Sequence, residues 1–179
     1  MNLTEKTLAQ TYRYKGKILN LRVDDVELPD GRPAIREVIE HHGGVCVLPL
    51  TDDDQVLLVR QLRYPYGQVL VELPAGKIDP GEQPLACGMR ELKEETGATA
   101  ARYEFLGEMY PSAGYSAEII YLYLATGLDF GRTDPDEDEF LEVERRPFSV
   151  LLQDMLENRI PDAKTQIAVL KLACRRGLR

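Results

Sequence analysis

The stretch Gly76–Ala98, GKIDPGEQPLACGMRELKEETGA, constrains this chain more than any other, because it prescribes a fold element and a chemistry together. Gly76 to Gly81 is punctuated by Gly and Pro and reads as a turn-rich loop. The second part of the stretch reads as a helix. Pro84 suits the first turn, where a missing N–H costs nothing, and Glu82 sets an anion near the positive helix end. Gly97 is placed to close the helix as its C′ residue. Within it Glu91, Glu94 and Glu95 stand at i, i+3 and i+4 and share one helical face.

Three carboxylates on one face repel one another, and a helix built only for solubility would interleave lysines. Lys93 is the only base inside the triplet, and its position points it elsewhere. A solvated acidic face accounts for the charges alone. It does not account for the glycine loop before the helix or for the fixed spacing. Oxygen-only ligands clustered this tightly suit a hard divalent cation, Mg²⁺ or Mn²⁺, which then holds a phosphate oxygen. Arg90, four residues before Glu94 and one before Glu91, is placed to steady a carboxylate.

These residues carry a resemblance. Gly76, five residues, Glu82, seven residues, then Arg90-Glu91-Leu92-Lys93-Glu94-Glu95-Thr96-Gly97-Ala98 resembles the Nudix box, with every fixed Gly, Glu and Arg in place. Only Ala98 departs, being smaller than the bulky aliphatic usual at the last position. So many set positions make the signal specific. The segments Val59–Arg63 (VRQLR), Glu72–Gly76 (ELPAG) and Asp162–Thr165 (DAKT) extend the resemblance along nearly the whole chain, to the ADP-ribose pyrophosphatase branch of that family.

The resemblance implies a set of roles. Glu91 and Glu95, with Glu94 supporting, would hold two or three Mg²⁺ ions (Mn²⁺ being the alternative), helped by the backbone carbonyl of Ala75 and by Glu139. Glu82 falls to a structural role within the box. Counted back from DAKT, Glu137 falls where the family's mobile loop carries its proposed base; a slip of one residue would hand either acidic-loop role to Asp138. Arg36 and Arg63 match arginines that grip the diphosphate, as a guanidinium does bidentately. Glu118 matches a carboxylate near the terminal ribose. Tyr14 matches an aromatic that the partner subunit lays over the adenine, which implies a homodimer.

Each role has a plainer counterpart. Tyr14 serves equally as hairpin packing, Arg36 as a rim charge and Glu118 as a strand-start surface charge. The acidic run Asp134–Glu139 serves as solvating surface. Arg60 reads as structural. In the loop Pro111–Glu118 the chain departs from the branch, with Ala113 where a proline is typical and Pro111 two places early. That loop contacts substrate in the family, so the departure bears on ADP-ribose as the substrate and leaves the pyrophosphatase chemistry untouched.

Length and charge bound the rest. At 179 residues the chain reads as one domain, or one domain with a small extension. Its formal net charge of −8 disfavours nucleic acid as the main partner, although metal ions can bridge an acidic enzyme to an anionic substrate. Cys46, Cys87 and Cys174 are odd in number, match no metal spacing, and read as small buried residues in a reducing cytosol. No segment is long and apolar enough to cross a membrane, and the N-terminus lacks a signal-peptide core, so a cytoplasmic location is expected.

Along the chain, residues 1–10 read as a frayed or partner-docked start. Strands are expected over 11–16, 18–28 and 32–41, the last two forming a hairpin around Pro29-Asp30-Gly31. Val45–Leu50 and Val56–Val59 are nearly continuous apolar runs, as in strands buried on both faces. Further strands are expected over 69–73, 102–110 and 119–125. Phe148–Asn158 and Ala163–Arg175 read as amphipathic helices, the first with a stripe of Leu151, Leu152, Met155 and Leu156, the second with Ile167, Leu170 and Cys174 on one face. Asp162 is placed to cap the second.

The expected fold is a Nudix-like α/β/α sandwich of mixed sheet with an N-terminal β-hairpin extension, residues 1–42, ahead of the hydrolase domain, residues 43–179. The expected function is metal-dependent hydrolysis of the pyrophosphate bond of ADP-ribose to AMP and ribose 5-phosphate. Another nucleoside diphosphate sugar such as GDP-mannose is the alternative within the same chemistry. A nucleotide-binding regulator without hydrolysis is the alternative outside it, and a nucleoside triphosphate hydrolase is a weaker third.

Overall fold

The apolar run at Val45 becomes the centre of a sheet. In the computed structural model, which describes residues 2–133 and 140–178, Gly44–Leu50 is a strand with all seven residues buried. The strands in chain order are β1 (Lys6–Lys15), β2 (Asn20–Glu27), β3 (Pro33–Glu40), β4 (Gly44–Leu50), β5 (Gln55–Arg63), β6 (Gln68–Glu72), β7 (Ala75–Lys77), β8 (Ala98–Met109), β9 (Ile120–Phe130) and β10 (Leu141–Pro147). The helices are α1 (Pro84–Thr96), α2 (Phe148–Leu156) and α3 (Ala163–Arg175). Contacts divide the chain into two compact units, Met1–Gly43 with Tyr110–Ile119, and Gly44–Met109 with Ile120–Arg179.

The second unit is built on a mixed sheet in the order β10-β5-β4-β9-β8, with β6 beside β5 and β7 beside β4. Only β4 and β9 run parallel; the other pairs are antiparallel. Alternation along β4 and β5 sorts side chains onto two faces. Cys46, Leu48, Val56 and Leu58 pack with Phe148, Leu151 and Met155 of α2 and with Val169 and Leu172 of α3. Val45, Val47 and Leu57 pack with Cys87 and Leu92 of α1. Helices on both faces of a mixed sheet make the expected α/β/α sandwich. Helices of 9 to 13 residues are marginal alone, so these are held by the faces they bury.

α1 is tied most closely. A Cβ at Gly88 would stand 2.9 Å from Val45 Cγ1 and 3.1 Å from Val47 Cγ2, so glycine there lets the helix settle on β4. The helix stops at Gly97, whose φ of 71° is left-handed and whose N–H returns to the Lys93 carbonyl at 2.8 Å.

The first unit holds the antiparallel sheet β1-β2-β3. β2 and β3 form the expected hairpin, closed through Gly31 at φ 83°.

Several expectations need correction. Residues 6–10 are not frayed: they pair with β2 as the first half of β1, because backbone pairing needs no apolar pattern and all ten residues of β1 are exposed. The strand β10 carries no clear signal in the sequence: its burial alternates weakly, and it is an edge that pairs with β5. α3 buries Thr165, Ala168, Val169, Leu172 and Ala173, and leaves Leu170 and Cys174 exposed. The helix is rotated from the expected face because Asp162 and Thr165, polar residues, anchor its start. Leu156 is likewise exposed at the end of α2. Of the cysteines only Cys46 and Cys87 are buried.

Candidate active site

Gly76 and Lys77, expected in a loop, belong to β7, and residues 78–83 carry the chain from there to α1, whose inward face holds Glu91 and Glu95. Both carboxylates are buried, at 8% and 2% exposure. The Glu91 carboxylate occupies the space that a side chain at residue 76 would take: a Cβ on Gly76 would stand 1.8 Å from Glu91 Oε1. Glu95 Oε2 accepts the Ala75 N–H at 3.0 Å. Helix face and loop backbone therefore meet at Ala75–Gly76, with a carboxylate against each residue.

Arg90 organises the acidic side chains around the same junction of loop and helix. Its Nη1 donates to Glu91 Oε1 at 2.8 Å and to Glu94 Oε2 at 2.9 Å. Its Nε and Nη2 donate to the two oxygens of Glu82 at 3.1 and 3.0 Å. Glu82 also accepts the Asp79 N–H at 3.1 Å, closing the loop on itself. The bond from Arg90 holds the Glu82 carboxyl below its ordinary range, and the same pairing raises the Arg90 guanidinium further. Burial pushes the neighbouring Cys87 thiol up to about 12, so it stays protonated and unreactive at neutral pH.

The donor chemistry suits a hard cation: two buried carboxylates one turn apart, set against the Ala75–Gly76 backbone. Among the described residues no three His, Cys, Asp or Glu side chains converge on a single metal position. A bound ion would therefore combine Glu91 and Glu95 with oxygens from outside that set, such as main-chain carbonyls, water or phosphate.

Arg63, at the end of β5, turns Nε and Nη2 onto Glu72 at 2.7 and 2.6 Å. Glu72 is 1% exposed and also accepts from Lys164 of α3, which bonds Asp162 at 2.8 Å. Burial alone would raise the Glu72 carboxyl, but Arg63 and Lys164 outweigh it and hold the group below its ordinary range. Burial alone would lower Lys164, but Asp162 and Glu72 outweigh it and raise the ammonium. Asp162 Oδ2 accepts the Thr165 N–H at 3.0 Å as the N-cap and the Thr165 hydroxyl at 2.6 Å. The Thr165 oxygen in turn accepts the Leu73 N–H at 2.9 Å. In the sequence ELPAG and DAKT stand out as segments, but Glu72, Lys164 and Thr165 carry no role there. A glutamate ending an apolar strand was the available signal, since a buried carboxylate demands a cation.

Three more candidates, Tyr14, Arg36 and Glu118, lie in the first unit. Tyr14 is exposed on β1, opposite Leu21. Arg36 on β3 is exposed and donates to Glu5 and to the Ile35 carbonyl. Glu118 Oε1 stands 3.7 Å from His41 Nδ1, which accepts the Gly43 N–H at 3.0 Å. Arg60, in the second unit, pairs with Glu142 across β5 and β10, a rim contact. Glu137, Asp138 and Glu139 lie outside the described residues. No helix among the described residues is long and apolar enough to cross a membrane.

A mixed α/β sandwich with this loop and helix defines a class, and family models resolve it. The NUDIX domain matches residues 40–168, and the nucleoside diphosphate sugar hydrolase N-terminal domain matches residues 5–39. The chain belongs to the Nudix hydrolase family, among the nucleoside diphosphate sugar hydrolases. An ADP-ribose pyrophosphatase of Bacillus subtilis (strain 168) is 39% identical, over 99% of this chain and 97% of that protein. A methanol dehydrogenase activator of Bacillus methanolicus is 40% identical, over 98% and 96%. The crystal structure of an ADP compounds hydrolase shares the fold with a TM-score of 0.85 at 24% identity, over 99% of this chain and 98% of that one.

Proposed function

We propose that this protein hydrolyses the pyrophosphate bond of ADP-ribose, giving AMP and ribose 5-phosphate, with Mg²⁺ or Mn²⁺ as the cofactor. The observation that carries the reading is the pair of buried carboxylates, Glu91 and Glu95, set against the backbone of Ala75–Gly76. The name of the Bacillus subtilis relative supports the substrate.

Glu91 and Glu95, with the Ala75 carbonyl and Glu139, would hold the cation, with Glu94 supporting. When bound, a divalent cation neutralises phosphate charge and acidifies a coordinated water at neutral pH. Arg90 keeps the Glu91 and Glu94 carboxylates oriented through its two Nη1 bonds. Arg63 and Arg36 would stabilise charge on the diphosphate, and Glu137 would accept the proton from the attacking water. Glu118 would contact the terminal ribose. Tyr14 would stack on the adenine from a second subunit, so the working species would be a homodimer; a cytoplasmic location and a 1–42 extension ahead of the hydrolase domain, residues 43–179, belong to the same proposal.

A second reading, control of another enzyme, takes its support from the name of the Bacillus methanolicus relative. The test is a panel of ADP-ribose, GDP-mannose, other ADP- and UDP-sugars and deoxynucleoside triphosphates, assayed with Mg²⁺ and a coupled phosphatase beside an EDTA control. Dominant ADP-ribose turnover abolished by EDTA is expected. Dominant turnover of another nucleotide sugar keeps the chemistry and overturns the substrate, as the Ala113 departure in the Pro111–Glu118 loop would allow. Binding without hydrolysis brings the regulatory reading forward.

A further inference from the structure

The crossing from β6 to β7 brings the chain onto the helix that carries Glu91 and Glu95, and its backbone has few ways to be held. Leu73 is fully buried, Pro74 has no N–H, and Ala75 is half-buried. The two amides available are both taken by helix side chains: Leu73 N–H by Thr165 of α3, and Ala75 N–H by Glu95 of α1. The Pro74 carbonyl accepts from Val47 N–H at 2.9 Å. The segment before Gly76 is thus suspended between α1, α3 and β4, and Thr165 supplies its α3 link.

Thr165 is itself held. It is fully buried, its hydroxyl donates to Asp162, and Asp162 shares Lys164 with Glu72, which grips Arg63. Two cations and two carboxylates balance in this network, so none of the four is left as an uncompensated buried charge.

We propose that the first turn of α3, Asp162–Thr165, is a positioning element for the hydrolytic site. Thr165 sets the Ala75–Gly76 backbone through Leu73, and Lys164 sets the Arg63 guanidinium through Glu72. The inference rests on the assignment of Ala75, Glu91 and Glu95 to the cation and of Arg63 to the diphosphate. Neither Lys164 nor Thr165 touches substrate in it; both act through another residue. Outer-shell partners of this kind are worth about 10- to 100-fold in metal affinity or activity.

The experiment compares wild type, Thr165→Val, Thr165→Ser, Lys164→Met and Glu95→Gln. Mn²⁺ binding is read from the paramagnetic resonance signal of the free ion, and kcat and KM are measured with ADP-ribose. Thr165→Val should weaken Mn²⁺ binding and lower kcat by about 10- to 100-fold, with native circular dichroism, and Thr165→Ser should restore both. Lys164→Met should raise KM for ADP-ribose by about tenfold and leave Mn²⁺ binding unchanged. Should Thr165→Val be recovered unfolded, the Lys164→Met split between KM and Mn²⁺ binding decides. A merely structural turn would lower the melting temperature in both variants while Mn²⁺ affinity, kcat and KM stayed at wild-type values, and that result overturns the proposal. Loss of Mn²⁺ binding in Glu95→Gln together with wild-type binding in Thr165→Val refutes this inference and leaves the metal assignment standing. A wild-type protein that binds no Mn²⁺ refutes both.

Discussion

Gly76→Ala is the sharpest single perturbation of this site. The added methyl would stand 1.8 Å from Glu91 Oε1, 1.9 Å from Cδ and 2.4 Å from Oε2, so the whole carboxylate is in the way. To reach ordinary contact at 3.4 Å, the nearer oxygen must retreat by about 1.6 Å. Glu91 is the movable partner, since residue 76 is pinned in the β4–β7 pairing opposite Val45. The carboxylate therefore leaves its place beside the loop and beside Arg90. Stability changes little: Arg90 is one-third exposed and keeps its bonds to Glu82 and Glu94 when Glu91 moves, so the loss is that of one solvent-screened ion pair, about 0.2–1 kcal/mol. At this chain length that shifts the melting temperature by no more than about 2–4 °C. Activity changes much more, because a displacement of about 1 Å in a positioned group costs about 100-fold in rate. Steady-state hydrolysis of ADP-ribose at saturating Mg²⁺, beside thermal unfolding by circular dichroism, separates the two effects. Turnover within about threefold of wild type would refute the idea that Glu91 must lie against the loop.

Glu95→Gln keeps the size of the side chain and its acceptor for Ala75 N–H but removes a charge; kcat should fall by about 10²-fold or more, with the fold intact by circular dichroism, and near-wild-type turnover would sink the metal assignment. Glu72 and Glu82 have folded values below the ordinary 4.5, so the stability they contribute is complete well above 4.5 and is lost as pH falls through the lower folded values. Lys164 has a folded value above 10.5, so its share is complete below 10.5 and lost only as pH rises through that higher value. Urea unfolding of Glu72→Gln should show a loss of about 3–5 kcal/mol at neutral pH and a shallower decline in acid than wild type; an unchanged acid slope would contradict the pairing. Size-exclusion chromatography with light scattering should report a dimer, and Tyr14→Ala should raise KM for ADP-ribose with kcat nearly unchanged; a monomer with full activity would remove the partner's role.

Local rules made much of this protein legible. Pro84 and Gly97 bound α1, and Asp162 caps α3, as their backbone preferences require. The i, i+3, i+4 spacing set Glu91 and Glu95 on the buried face of α1, and the continuous apolar run at Val45 marked the strand with helices on both sides. Spacing alone carried the family, because the box lies within one loop and one helix, where sequence separation and spatial separation are nearly the same thing.

Contacts between distant segments were decided only by the folded chain. Arg63 and Glu72 are joined by the pairing of β5 with β6, but Lys164, 92 residues beyond Glu72, reaches them only because α3 starts beside those strands. No period or propensity encodes that meeting, and Arg63 read alone looked like a residue addressed solely to phosphate. Gly76 likewise reads as a turn residue, yet its β7 pairing is what leaves room for the Glu91 carboxylate. The rotation of α3 away from its apparent apolar stripe has the same origin: the buried hydrogen bonds of Asp162 and Thr165 set the helix's phase more firmly than the burial of Leu170 could. A one-dimensional pattern states which residues can share a face; which face is buried, and what faces it, is fixed by the close packing of elements that the pattern does not connect.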